Sequence, residues 1–251
     1  MVRVDIRNRS GSVEHYYHFL LGFCVPLVRF SLSRAEPGES LVIRECGPLT
    51  ALLAELRLQL DVVPVAQFHA QPATVQLAGF DDPANYDYRA FVQFARYLAE
   101  IHTASQSRLS ARPSVILIER DAPAEFYLSE KAEIRGAGSS RCAIKNHSAL
   151  AAALSARLPS FNSLRLEGKS LLEQFEIFHN ADIVIAQHGA ALANLVFSRR
   201  NTRVIEIGPL RDRGRQSCFS VLSRTMGLDY SFVPQKSLFP LVDSDEILNL
   251  I

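Results

Sequence analysis

The chain has 251 residues, 48% of them hydrophobic, and its 27 basic residues nearly balance 26 acidic ones. Such a chain can bury the core of one large domain or two small ones, and without a charge excess nucleic acid is not the expected partner. The longest apolar run, residues 19–28, is too short to cross a bilayer and contains Gly22 and Pro26. The opening MVRVDIRNRSGS lacks the apolar stretch of a signal peptide. Cys24, Cys46, Cys142 and Cys218 stand far apart with no C-x-x-C pair, so reduced thiols in a cytoplasmic protein are expected rather than disulfides or zinc.

From Tyr17 onward, apolar residues at helical spacing predict a helix packed on a sheet. His15 and His18 are three apart and share a helix face, but no third ligand stands nearby. A half-buried, hydrogen-bonded His18 is the plain reading of its local sequence. Residues 41–44 read as a strand after the Pro37-Gly38 turn, Thr50 as the cap of a helix over 51–60, and residues 61–65 and 74–77 as further strands. In the polar loop 80–87 the acidic residues either face a cleft or, at Asp82-Pro83, start a helix. Residues 88–101 are helical in pattern, and the Ser-rich 102–112 reads as a linker between two α/β domains, 1–105 and 106–251.

The second half reopens with a strand at 114–118, followed by Arg120. Arg141 and Asn146 precede a helix over 148–158, which Asn146 caps or orients. Two arginines at element ends suit a diphosphate, because guanidinium matches phosphate oxygens bidentately; surface salt bridging is the alternative. Between them the long insertion 121–140 carries Gly136-Ala137-Gly138-Ser139-Ser140, which is no P-loop and reads as a mobile loop. A strand at 164–167 leads to Ser170-Leu171-Leu172-Glu173, a capping box for a helix ending near Asn180.

Next comes a β-branched strand, 182–186, then His188-Gly189-Ala190-Ala191, Asn194, and a second strand, 202–207, carrying Glu206. A small-residue turn and an acid thus end neighbouring parallel strands, where open α/β sheets bind ligands. On local physics two readings stand. The small residues admit a phosphate to a helix N-terminus, with Gly189 allowing close approach or a φ closed to other residues, or they only let the helix pack tightly. Arg211, Arg213 and Arg215 form a basic loop that screens phosphate or is merely solvated. A helix over 217–226 ends at Gly227, and a last strand spans 230–233. Asp243-Ser244-Asp245 matches a metal-binding D-x-D pattern but reads as a helix cap.

The order His188-Gly189-Ala190, Asn194 and Val204-Ile205-Glu206-Ile207 resembles the C-terminal signature of glycosyltransferase family 61. That family includes plant xylosyl- and arabinosyltransferases, animal O-linked N-acetylglucosaminyltransferases of the secretory pathway and bacterial polysaccharide-synthesis proteins. Tyr16-Tyr17-His18-Phe19-Leu20 resembles its N-terminal signature, and Arg120, Arg141 and Asn146 follow in matching order. The resemblance implies an α/β, GT-B-like fold, with two Rossmann-like domains facing across a cleft, the acceptor side in 1–105 and the donor side in 106–251. It implies inverting, metal-independent transfer of a sugar from a nucleotide-diphosphate donor, UDP-linked, to a glycan hydroxyl, with no cofactor beyond the donor as substrate. Peripheral membrane association is compatible with such work in the cytoplasm.

In that reading His18 and His188 are catalytic, and Arg120, Arg141, Asn146, His188, Gly189, Ala190, Ala191, Asn194 and Glu206 bind substrate. Glu206 would accept from ribose or sugar hydroxyls. One departure stands out. In the family an Asp or Glu commonly follows the histidine by three or four residues, and here those positions are Leu21 and Gly22. A nucleotide-sugar-binding protein that has lost its general base is therefore the alternative. A Rossmann oxidoreductase is disfavoured because no G-x-G-x-x-G occurs.

Overall fold

The computed structural model describes residues 1–8, 11–34, 39–70, 72, 74–104, 114–209 and 216–251. Two parallel sheets organise them. The first contains β1 (Val2–Arg7), β2 (Leu41–Arg44), β3 (Leu60–Val63) and β4 (Val75–Ala78) in the order β3-β2-β1-β4. The second contains β5 (Val115–Ile118), β6 (Phe161–Leu164), β7 (Ile183–Gln187), β8 (Arg203–Pro209) and β9 (Asp229–Gln235) in the order β6-β5-β7-β8-β9. The helices are α1 (Val25–Ser33), α2 (Val65–His69), α3 (Tyr88–Ala104), α4 (His147–Ser155), α5 (Leu171–Asn180), α6 (Cys218–Met226) and α7 (Ser244–Leu248). In the second sheet the chain leaves β5 for β6 on one side and returns to β7 on the other. The loops after β5 and β7 therefore diverge and open a crevice at the strands' carboxyl ends.

One apolar cluster joins both sheets. Val4 and Ile43 from the first and Ile116, Val184 and Val204 from the second share it with Phe91 and Phe94 of α3 and Phe175 and Phe178 of α5. Phe197 sits between the helices, its ring centroid 5.8 Å from that of Phe94 and 5.5 Å from that of Phe175. Each buried phenyl ring contributes roughly 1.5–3 kcal/mol, so this seam resists separation of the halves. A second cluster covers the other face of the second sheet, where Leu117, Ile185 and Ile205 meet Leu150 and Leu154 of α4 and Ile247 of α7. The insertion 121–140 adds polar ties. Tyr127 donates to the Glu14 carbonyl at 2.6 Å, Glu133 N–H to the Glu14 carboxylate at 2.7 Å, and His15 Nε2–H to the Ile134 carbonyl at 3.1 Å. Glu55 accepts from Leu172 N–H at the start of α5, at 3.1 Å.

Most expected elements are present, with physical reasons where they differ. β1 was not anticipated, although VRVDIR alternates as a strand should. The helix after Tyr17 begins as a π-helix, His18–Cys24, and becomes α1 with Pro26 in its first turn. The segment expected as a helix over 51–60 is a 3₁₀ helix, Gly47–Leu56, begun by Pro48 and ended by Arg57 in the left-handed region. Thr50 caps nothing after it; its hydroxyl accepts from Cys46 N–H at 2.7 Å. The strand expected at 164–167 lies earlier, as β6, because Lys169 N–H bonds back to the Leu166 carbonyl and turns the chain. The capping box at Ser170 and Glu173 forms as expected. α3 continues through Ala104, and the rest of the expected linker lies outside the described residues, as do Arg211, Arg213 and Arg215. Among the described residues no helix is long and apolar enough to cross a membrane.

Candidate active site

A cavity of about 1100 Å³ lies where loops from the two sheets meet. Tyr17, His18 and Glu55 line it from the first half of the chain, and Arg120, Arg141, Lys169, the turn His188 to Ala191 and Phe219 from the second. A chain of rings crosses it: His18 to Tyr17 at 5.1 Å, Tyr17 to Phe219 at 5.7 Å and Phe219 to His188 at 5.2 Å. Burial pushes the Tyr17 phenol well above its usual range, so it stays neutral.

Arg120 leaves β5 and turns inward. Its Nη1 donates to the carbonyls of Gly138 and Cys142 at 3.0 and 3.2 Å and lies 2.9 Å from Cys142 Sγ; its Nη2 donates to the His188 carbonyl at 2.9 Å. Burial lowers its pKa from the ordinary value, yet a guanidinium stays charged at neutral pH. Arg120 thus buckles the Gly-rich loop to the turn after β7, across the switch point. That loop is held, not loose: Ser139 N–H also bonds the Asp121 carbonyl at 2.7 Å. Arg141, on the same loop, is exposed, and among the described residues no carboxylate pairs with it. It is the lining arginine whose charge stays available to an anion, with Lys169 nearby on the cavity wall.

Gly189 is small because of Arg120. A Cβ there would lie 1.7 Å from Arg120 Nη2. Its φ of 170° is ordinary extended backbone, so the expectation of a special φ is corrected: crowding, not conformation, requires glycine. Ala190 and Ala191 line the cavity at the start of a 3₁₀ helix, Ala190–Phe197, rather than an α-helix.

Three expected substrate-binding residues are not among those that line the cavity. Glu206 is fully buried, and its carboxylate accepts from His188 Nδ1–H at 2.5 Å, from Ser217 Oγ at 2.9 Å and from Tyr230 OH at 2.6 Å. Its oxygens are engaged by these three side chains, and it orients His188. Burial first and Glu206 second raise the Tyr230 pKa, which keeps that phenol a donor. Asn194, also fully buried, accepts from Tyr16 OH at 2.6 Å and donates to Gln174 Oε1 at 3.0 Å, tying the halves together. Asn146 neither caps α4 nor reaches the cavity. It pairs with both backbone groups of Val242, at 2.8 and 2.9 Å, and anchors the C-terminal segment.

His18 projects into the cavity, and its Nδ1–H donates to Asp81 Oδ2 at 2.7 Å. Asp81 follows β4 and is buried. A carboxylate from elsewhere in the chain, 63 residues on, thus pairs with the histidine that is followed by Leu21 and Gly22. A Cβ at Gly22 would come 3.0 Å from Asp81 Cγ, so the glycine vacates the space that Asp81 fills. The sequence had marked the acidic loop 80–87 only as a group; the two glycines beside it, Gly22 and Gly79, are the local signal for a carboxylate packed against backbone. Asp82, its neighbour, caps Pro83–Asn85 by accepting from Ala84 N–H at 3.0 Å. Lys169 and Glu55 were also missed, being ordinary charged residues in sequence. The D-x-D acids lie outside the cavity: Asp243 caps α7 and Asp245 pairs with Arg157 at 3.1 Å.

A comparison with curated proteins finds no match. The family model described as Glycosyltransferase 61 matches residues 16–205 of the 251, a span that includes His18, Asp81, Arg120, Arg141 and the turn after β7. The chain belongs to glycosyltransferase family 61 and is a glycosyltransferase.

Proposed function

We propose that the protein transfers a sugar, with inversion and without a metal ion, from a nucleotide-diphosphate donor to a glycan hydroxyl, in a GT-B-like arrangement. Residues 1–105 take the acceptor side and 106–251 the donor side. The observation that carries this reading is the placement of a histidine from each half in one cavity, whose lining also includes Arg141 and the turn after β7. The acceptor oxygen attacks C1 of the donor sugar as the C1–O bond to phosphate breaks. The acceptor proton passes to His18 Nε2, and the bond electrons leave with the nucleoside diphosphate. Arg141 and the N–H groups of the turn meet the charge that develops, where fixed dipoles act most strongly. His188, held through Nδ1 by Glu206, faces the same leaving group. The carboxylate of Asp81 beside His18 supports this reading over a binding protein without turnover.

The test is calorimetric titration with UDP, GDP and ADP beside a donor-hydrolysis assay. UDP is expected to bind, and Arg141→Ala to weaken it by about 1.5–3 kcal/mol, the scale of a charge-assisted hydrogen bond. Unchanged affinity in that variant removes the loop from the donor site. Binding without hydrolysis or transfer across an acceptor panel returns the protein to the non-catalytic alternative.

A further inference from the structure

Among the described residues of the first half, two buried oxygens have no hydrogen-bond partner, Asn8 Oδ1 and Asp81 Oδ1. Both crowd the same place. An ideal Cβ at Gly79 would lie 2.8 Å from each of them and from the Gly22 carbonyl, and one at Gly22 would lie 2.7 Å from Asn8 Oδ1. Glycine at 22 and 79 thus clears a seat that a carboxylate and an amide occupy. The other oxygen of that carboxylate receives His18 Nδ1–H. On the far edge of the imidazole, Gly11 has φ +87°, and a Cβ there would lie 2.2 Å from Nε2. Three glycines, from three separate segments, therefore surround one histidine–carboxylate pair whose ring lines the cavity.

We propose that Asp81, seated by Gly22, Gly79 and Asn8, is the positioning residue for the acceptor-activating base: it fixes His18 with its proton on Nδ1, so that the Nε2 lone pair faces the acceptor hydroxyl. This rests on the reading of His18 as the base. The physical reason is tautomer selection. A carboxylate beside Nδ1 accepts a hydrogen bond only from the Nδ1–H form, and it stabilises the imidazolium that forms when Nε2 takes a proton. Among the described residues, the titratable groups around the pair are few. Tyr17 and Tyr86 are kept neutral by burial, which also lowers the pKa of His15. Asp82 holds its own turn, and Cys218 approaches from α6.

Asp81→Asn keeps the volume and removes the charge. The pH profile of kcat/KM is expected to differ from that of the wild type, because an amide faces Nδ1 in place of a carboxylate and no longer selects the Nδ1–H tautomer. kcat should drop about 10²-fold, the lower end of what a general base supplies, while the donor KM stays near wild type. His18→Gln separates the two claims. If His18→Gln leaves transfer intact, His18 is not the base and the underlying reading fails. If His18→Gln abolishes transfer while Asp81→Asn keeps the wild-type rate and pH profile, only the role of Asp81 fails. The unmodified protein offers a further measurement that does not depend on a variant folding. Histidine-selective ¹⁵N NMR should show neutral His18 protonated at Nδ1, and the Nε2–H tautomer would overturn the assignment.

Discussion

Gly189 offers the sharpest test of how the second half of the chain builds its wall of the cavity. Replacing it by Ala costs nothing in backbone conformation, because φ is extended, yet the new Cβ would stand 1.7 Å from Arg120 Nη2. The guanidinium must leave. It takes with it the bonds to the Gly138, Cys142 and His188 carbonyls. Bonds from a charged donor are worth about 1.5–3 kcal/mol each, but the displaced cation regains water in the cavity, so a net loss of roughly 2–4 kcal/mol is expected. The loop that carries Arg141 loses its buckle, and UDP affinity should fall with stability. Arg120→Ala makes the decisive background. Without the guanidinium the methyl group has nothing to strike, and Gly189→Ala should cost less than about 0.5 kcal/mol there. The assay is denaturant unfolding of the wild type, both single variants and the double variant, with UDP titration on each. Additive losses, with no coupling between the two positions, would refute the buckle and leave Gly189 with another role.

Further outcomes follow from other contacts. Tyr230→Phe removes one donor from the buried Glu206 carboxylate and should cost about 1.5–3 kcal/mol in denaturant unfolding; a neutral result would mean that this carboxylate is not held as described. Chelation with EDTA should leave UDP affinity unaltered and Asp243→Asn should not affect it, whereas loss of binding restored by Mn²⁺ would overturn metal-independent transfer. Burial lowers the pKa of His147, which bonds Ser163 Oγ at 2.8 Å. A depressed folded-state pKa contributes stability that is present above the unfolded value near 6.5 and is lost as pH falls below it. Melting temperatures at pH 7.5 and 5.0 should therefore differ less in His147→Asn than in the wild type, and an equal difference would remove His147 from the acid response.

Most strands, though not β1, were legible because their information is local. The β-branched run before His188 can only be a buried strand, and the Ser170–Glu173 box declares its helix start in four residues. Elements decided by tertiary demands were not. The chain at 47–56 winds as a 3₁₀ helix because Gly47 and Pro48 set its start and Leu60 is claimed by pairing with Leu41. Site roles divided along the same line. The stretch at the switch point was visible as a motif, but which of its side chains face the cavity was not. Asn194 and Glu206 look like ligand-binding residues in sequence, and both are spent on other parts of the chain. Asp81 was hidden for the opposite reason: it lies 63 residues from the histidine it serves.

The two histidine–carboxylate pairs differ in a way that suits them to the different duties proposed above. Both oxygens of Glu206 are used, by His188, Ser217 and Tyr230, and the residue has no exposed surface. A carboxylate so fully engaged resists displacement, because each lost bond leaves a buried donor unpaired. It suits a scaffold that aims one ring at a leaving group. Asp81 has one oxygen on His18 and one without a hydrogen bond. Its seat is made of glycine backbone and an amide, so less is lost there when the charge on the neighbouring ring changes, as a proton-accepting base requires. Glu206→Gln should accordingly show its main effect in stability, by roughly 2–4 kcal/mol of buried network, with loss of turnover following from a misaimed His188. Asp81→Asn should show its main effect in rate and pH profile with melting temperature close to wild type. If the two variants exchange these signatures, with Asp81→Asn unfolding the protein and Glu206→Gln shifting only the pH profile, then the base stands on the β7 side of the cavity.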